Sequence, residues 1–423
     1  MIPRRSMILL TGLLALAPSG APSPAPTTKA PTTVVENCVK TGQPTDPEPT
    51  AVPWSQQRIQ PERVWPLTTG APVVVAVIDS GIWVDHEQLQ GQVIRGRDFL
   101  GAPGSSIADC TGHGTAVAGI IGAKPLRGFP VHGVAPGARL LSIRQNERKG
   151  DQSRGTADTL ALAIREAVAR EAKVINISAT VDKDDPQLRD AVDYALAQDV
   201  VIVAAAGNDD SGARPELAAQ AVYWPARYAG VLAVAAIDSD DNRAAESHAG
   251  SYVDVAAPGK DVMSTGANGP RPYAVVTGTS FAAPFVSGTA ALIRAYHPKL
   301  TGRQVVARIT ATADVPPQGR GGAALGAGIV NPYAAVTAVI PAEGSAATTP
   351  PSPVPGAVPA LPVSPDRSVR NQVLVSSAVV AALAMLLVLA AVVVPRGRAR
   401  RWQASRSVPS GLAADSAGRS QPT

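Results

Sequence analysis

The chain has 423 residues, 39 of them proline, with 17% charged residues and a net charge of +5. That excess sits at the ends: residues 396–423 hold six arginines against one acid, Asp415, and Arg4 and Arg5 add two charges near the start. The body between is about −2. No basic surface is left to grip nucleic acid, and the length allows one large domain with appendages.

Residues 1–25 start with a basic pair and run into an apolar stretch, Met7 to Ala17. The stretch is too short to span a bilayer and predicts a signal peptide. A Pro-rich N-terminal extension follows at 26–53, and the nine prolines of 18–53 cannot build a core. The body, 54–340, alternates strand and helix patterns. "VVVAVID" (73–79) predicts a buried strand, "GTAVAGIIGA" (114–123) a helix of small residues and "RLLSIRQ" (139–145) a strand. A helix over 157–171, a strand over 173–178, a helix over 185–198 capped by Asp185, and strands at 200–207, 231–236 and 252–256 complete the pattern. A second Pro-rich stretch, 341–372, predicts a stalk. Residues 373–394 are 22 uncharged residues, enough for a helix of roughly 33 Å that crosses a bilayer. The arginines that follow place the basic tail, 395–423, in the cytoplasm and the body outside. The only cysteines are Cys38 and Cys110. An exported setting favours a disulfide between them, two free thiols being the alternative.

Apolar strands alternating with helices predict an α/β fold of three layers, with a mainly parallel central sheet covered on both faces, plus one C-terminal transmembrane helix. In such folds chemistry gathers at the carboxyl ends of strands. Asp79 ends the first strand, His113 lies between two glycines at a helix start, and Asn208 follows the strand 200–207. Ser280 lies in "GTSFAAPFVSG", four positions before Pro284. Proline is tolerated in the first turn of a helix, so a helix is predicted to begin within a few residues of Ser280, its unpaired amides turned toward whatever that serine attacks. Singly, these residues read as a strand-end carboxylate, a capping histidine, a turn asparagine and a small helix residue. Jointly they supply what acyl transfer needs: a nucleophile, a base, a carboxylate that holds the imidazole and donors for an oxyanion.

The stretches "VVVAVIDSGI", "GHGTAVAGIIGA", "VINIS", "VAAAGN", "GTSFAAPFVSG" and "GAGIVNPYAAV" together resemble a subtilase, a subtilisin-like serine endopeptidase of the S8 type, over about residues 60–340. The resemblance implies that Asp79, His113 and Ser280 form the triad and that Asn208 and the Ser280 amide form the oxyanion hole. It implies substrate contacts at Ser178, Ala179 and Thr180 and at Ala205, Ala206 and Gly207. Thr180 stands where that family commonly has glycine, which implies a narrowed specificity pocket. The order signal, Pro-rich extension, protease domain, stalk, membrane helix and basic tail is similar to that of mycosins, the membrane-anchored subtilases of actinobacterial type VII secretion systems. That similarity implies a polypeptide substrate, secretion-system membrane components as partners, and a disulfide from Cys38 to Cys110. It also admits a protein that is mainly a structural subunit of the complex. The extension is too short to fold as an independent prodomain, which implies that it stays attached. An α/β-hydrolase lipase is excluded, because its elbow is Gly-x-Ser-x-Gly and its order begins with serine. No cofactor is expected, structural calcium at the acidic runs being the alternative. "DKDD" (182–185) and "DSDD" (238–241) lack the ligand spacing of a calcium loop. His86, His132, His248 and His297 have no metal-type spacing and are expected at the surface or as caps.

Overall fold

The computed structural model describes residues 49–341 except 101–105, 150–151, 210–222, 268, 270–271, 317–321 and 323, together with 395, 396 and 398. The chain divides into two units, Met1–Ala346 and Ala347–Thr423, and all the elements below belong to the first.

Seven strands form one sheet: β1 (Val74–Asp79), β2 (Val93–Asp98), β3 (Arg139–Arg144), β6 (Val174–Ile177), β7 (Val201–Ala205), β8 (Leu232–Ile237) and β9 (Val255–Pro258). Between β3 and β6 lies an antiparallel hairpin, β4 (Glu147–Lys149) and β5 (Gln152–Arg154), and after β9 another, β10 (Val262–Thr265) and β11 (Tyr273–Val276). The sheet order is β2-β3-β1-β6-β7-β8-β9, and every pairing in it is parallel. β1 is therefore an interior strand: the chain goes from it to the edge strand β2 and back to β3 on one side, then crosses to β6 and runs outward to β9 on the other. The carboxyl ends of strands beside such a reversal form a natural crevice.

Successive side chains of a strand point to opposite faces. Val75 and Val77 of β1 join one core cluster, and Ala76 and Ile78 join the other. The first face is covered by α2 (His113–Gly122) and α5 (Thr279–Tyr296), the second by α3 (Ala157–Ala169) and α4 (Pro186–Ala197). This is the predicted three-layer α/β architecture. α4 starts as expected, with the Asp185 carboxylate accepting the amides of Gln187 and Leu188 and Pro186 at the first helical position. Two further helices, α6 (Gly302–Ala311) and α7 (Pro332–Thr337), close the domain.

Two expectations need correction. No strand was anticipated at β2, whose sequence "VIRGRD" alternates polar residues because it lies at the sheet edge. Pro284 is not in the first turn of its helix. α5 begins at Thr279, so Pro284 falls inside it. A helical residue there would bond the carbonyl four positions back, that of Ser280. Proline lacks the donor, and the Ser178 hydroxyl donates to that carbonyl instead, at 2.8 Å.

The N-terminal edge of the domain is a short helix, α1 (Trp54–Ile59), docked by polar contacts. Trp54 Nε1 donates to the carbonyls of Lys260 and Asp261, both at 3.2 Å, and Gln56 Nε2 donates to that of His132 at 2.5 Å. Arg58 bridges Asp241 at 2.8 Å and Asp314 at 2.9 Å, half-buried. Removing one partner of such a group strands the others. Arg58→Ala is expected to cost about 1–3 kcal/mol, read as a lowered thermal midpoint with unchanged far-UV circular dichroism. A midpoint equal to wild type would show the bridge to be idle.

Candidate active site

Three loop-to-element junctions meet beyond the carboxyl ends of β1, β6 and β7. Asp79 is the last residue of β1 and is buried. Its Oδ1 accepts the Ser80 amide at 2.7 Å and the His113 Nδ1–H at 2.7 Å. That bond leaves Nε2 of His113 as the basic nitrogen. His113 opens α2 directly after Gly112, whose φ of 80° suits a residue with no Cβ. Burial opposes charge on the ring, but the adjacent Asp79 carboxylate, with a smaller contribution from Asp109, outweighs it and raises the His113 pKa above its ordinary value. The ring packs on Phe281, the neighbour of Ser280, with centroids 4.7 Å apart.

Ser280 is the second residue of α5, which starts after Gly278 at φ 139°. Its Oγ donates to the Ser178 carbonyl at 3.0 Å. Ser178 follows β6, and its Oγ accepts from Asn176 Nδ2 at 2.9 Å, while Asn176 Oδ1 accepts from Ser287 of α5 at 2.8 Å. This buried relay ties β6 to α5 on both sides of Pro284. Asn208 lies just past β7. Its Oδ1 accepts the Thr279 amide at 2.9 Å and the Thr279 hydroxyl at 3.1 Å. With its oxygen occupied, the side chain can offer only its NH2 group to a ligand.

One residue of this region escaped the sequence reading. Asp109 is fully buried. Its Oδ1 accepts from the Ser80 hydroxyl, the Thr111 amide and hydroxyl and the Gly112 amide, and its Oδ2 from the Thr115 amide and hydroxyl at 2.6–2.8 Å. Ser80 in turn accepts the Gly114 amide at 2.9 Å. The carboxylate thus fixes the loop that delivers His113 and ties it to the residue after Asp79. Its position four residues before the histidine was the one signal available, and loop carboxylates carry no periodicity to mark them.

A buried Asp–His pair at a strand end, beside a serine at a helix mouth and an oriented carboxamide, is the equipment of a serine hydrolase. The model of the subtilase family, peptidase S8, matches residues 70–334. The chain belongs to the subtilase family. This subtilase is a serine endopeptidase by that membership. It is 40% identical over 341 residues to Mycosin-4 of Mycobacterium tuberculosis, covering 72% of this chain and 73% of that protein. Among solved structures it is similar to the MycP3 protease from the type VII (ESX-3) secretion system, at 35% identity and TM-score 0.60, covering 70% of this chain and 90% of that one. It is also similar to a chain of the periplasmic assembly from the ESX-5 inner membrane complex, at 32% identity and TM-score 0.59, covering 73% of this chain and 89% of that one.

The other anticipated residues of this subtilase are distributed as follows. Thr180 is exposed and Ala179 half-buried, whereas Ala205, Ala206 and Gly207 are buried as β7 ends. Cys110 is disulfide-bonded, and Cys38 lies outside the described residues. Within the acidic runs, Asp238 accepts the amides of Asp240 and Asn242, and Asp184 pairs with Arg189. These carboxylates serve their own turns and neighbours. Among the described residues no group of His, Cys, Asp and Glu could hold a metal ion. Of the histidines expected at the surface or as caps, His86 and His248 are buried; His86 Nδ1 accepts the Gln88 amide at 3.2 Å, a capping contact, and its Nε2 contacts the Pro272 carbonyl at 3.0 Å. Among the described residues no helix is long and apolar enough to cross a membrane, and the expected spanning helix at 373–394 lies outside them.

Proposed function

We propose that this protein is a membrane-anchored, extracytoplasmic serine endopeptidase of the mycosin kind, which processes polypeptides and stabilises a type VII secretion complex. Asp79 is the triad acid, His113 the base and Ser280 the nucleophile, while Asn208 Nδ2 and the Ser280 amide receive the oxyanion. The observation that carries the reading is the 2.7 Å bond from His113 to the buried Asp79 carboxylate, next to the serine at the mouth of α5. It supplies a base whose tautomer is fixed and whose imidazolium is stabilised as it forms.

In the resting state the Ser280 hydroxyl bonds the Ser178 carbonyl. A peptide carbonyl brought to Asn208 draws the hydroxyl toward His113 Nε2, since catalytic bonds tighten only in the complex. Oγ then attacks the carbonyl carbon while His113 takes the proton. His113 returns that proton to the leaving amine, and water repeats the sequence in reverse on the acyl-enzyme. Residues 373–394 supply the anchor and 395–423 a cytoplasmic tail. The alternative, a mainly structural subunit, draws support from the similarity to a chain of the ESX-5 periplasmic assembly.

A fluorophosphonate probe tests the first reading: it should label the wild type and not Ser280→Ala. Strong labelling of the variant would refute the nucleophile. Secretion assays test the second reading. If the structural role dominates, Ser280→Ala secretes normally where deletion of the whole chain does not; equal losses would remove that role.

A further inference from the structure

A second aspartate–histidine pair lies directly behind Asn208. His248 Nδ1 and Asp209 Oδ1 are 2.6 Å apart. The His248 side chain is 4% exposed and that of Asp209 24%, and Asp209 is the next residue after Asn208. The pair faces Tyr223, edge-on to the His248 ring at 5.0 Å, and Tyr252, stacked on it at 6.1 Å. Arg227 in turn lies over the far Tyr252 ring. Burial pushes the Tyr252 phenol well up, so it remains a donor.

β7 ends at Ala205, and the sheet ladder stops orienting the backbone just beyond it. From there the cluster takes over. Tyr252 Oη donates to the Ala206 carbonyl at 2.6 Å, the His248 amide to the Gly207 carbonyl at 3.0 Å and Tyr223 Oη to the Asn208 carbonyl at 2.8 Å. The Asp209 amide donates to the Glu246 carbonyl at 2.8 Å. The Tyr223 ring lies so close to Gly207 that a Cβ there would meet it at 2.1 Å. Thr279 holds the Asn208 side chain from the front, and this cluster holds its backbone from behind.

An oxyanion donor contributes only when it is already in position, and an ångström of drift costs up to about 100-fold. We infer that Asp209 and His248 are positioning residues, a buried brace that keeps the Asn208 carboxamide aimed at the developing oxyanion. The inference rests on the reading of Asn208 as oxyanion donor.

The test is the rate of fluorophosphonate labelling of the full-length protein in detergent, over a range of probe concentrations. Ser280 Oγ attacks phosphorus, fluoride leaves and His113 takes the proton, so negative charge grows on the phosphoryl oxygen without any demand on substrate sequence. Asn208→Ala should lower the maximal rate by about 100-fold or more. His248→Ala and the milder Asp209→Ala should lower it about tenfold with the half-saturating concentration unchanged, and Asp209→Asn, which keeps an acceptor for Nδ1–H, should recover most of it. In the Asn208→Ala background, either brace variant should cost nothing further. A wild-type rate for His248→Ala and Asp209→Ala, or an undiminished loss on top of Asn208→Ala, overturns the brace while leaving the oxyanion reading intact. A wild-type rate for Asn208→Ala overturns both.

Discussion

Ser280→Ala is expected to fold normally and to lose about 10⁶-fold in kcat, the scale on which a triad protease falls when its nucleophile is removed. The substitution deletes one oxygen and one hydrogen bond. The hydroxyl donates only to the Ser178 carbonyl, and the Ser280 carbonyl keeps its bond from the Ser178 hydroxyl. Alanine also suits the second position of a helix. Stability should therefore change by less than about 1 kcal/mol, so activity and folding separate cleanly. Residual activity of roughly 10³-fold over the uncatalysed rate, from binding and the oxyanion donors, is compatible with the assignment. A kcat within tenfold of wild type would overturn it.

Asp79→Asn should cost about 10⁴-fold in kcat, because an asparagine no longer enforces the His113 tautomer with Nδ1 protonated. The pH profile gives a second, independent signature. His113 must be neutral to act as base, and its pKa stands above the ordinary 6.5 chiefly because Asp79 overcomes the effect of burial. Wild-type activity should therefore rise with pH along a limb that lies above pH 6.5. In Asp79→Asn the attraction is gone while burial remains, and the limb should move to lower pH. The linkage to stability has the opposite direction. A histidine whose folded-state pKa is raised stabilises the fold fully below about pH 6.5, and that contribution fades as pH rises through the folded pKa. The wild type is thus most active where this pair stabilises it least. Coincident pH limbs for the two proteins would remove Asp79 from the role.

The central layers were legible because parallel strands buried on both faces read as unbroken apolar runs, as in "VVVAVID" and "VVIVAAAG". Asp79, His113, Asn208 and Ser280 stood out as polar residues ending or opening such runs. What stayed hidden depended on tertiary contacts. β2 alternates like an exposed edge, the Asp109 carboxylate draws partners from the end of β1 as well as from its own loop and α2, and His248 is buried by Tyr223 and Tyr252 in a loop with no regular period. Pro284 misled by a more local route. Its usual place in a first turn was a sound prior, and the partner that makes its actual place tolerable, Ser178, lies about a hundred residues earlier.

The interior position of β1, between β3 and β6, also has a consequence in time. Val75 must find Leu140 on one side and Val174 on the other before the sheet's middle exists, and such distant pairings make folding slow. The proposed catalytic groups follow the same schedule. Asp79 and His113 emerge early, Asn208 later, and Ser280 only with α5, which threads against β6 to β9 once those strands are laid down. A chain cut short anywhere before residue 280 lacks the proposed nucleophile. On that assignment, proteolytic power is withheld until nearly the whole domain has been made and closed around its last long helix.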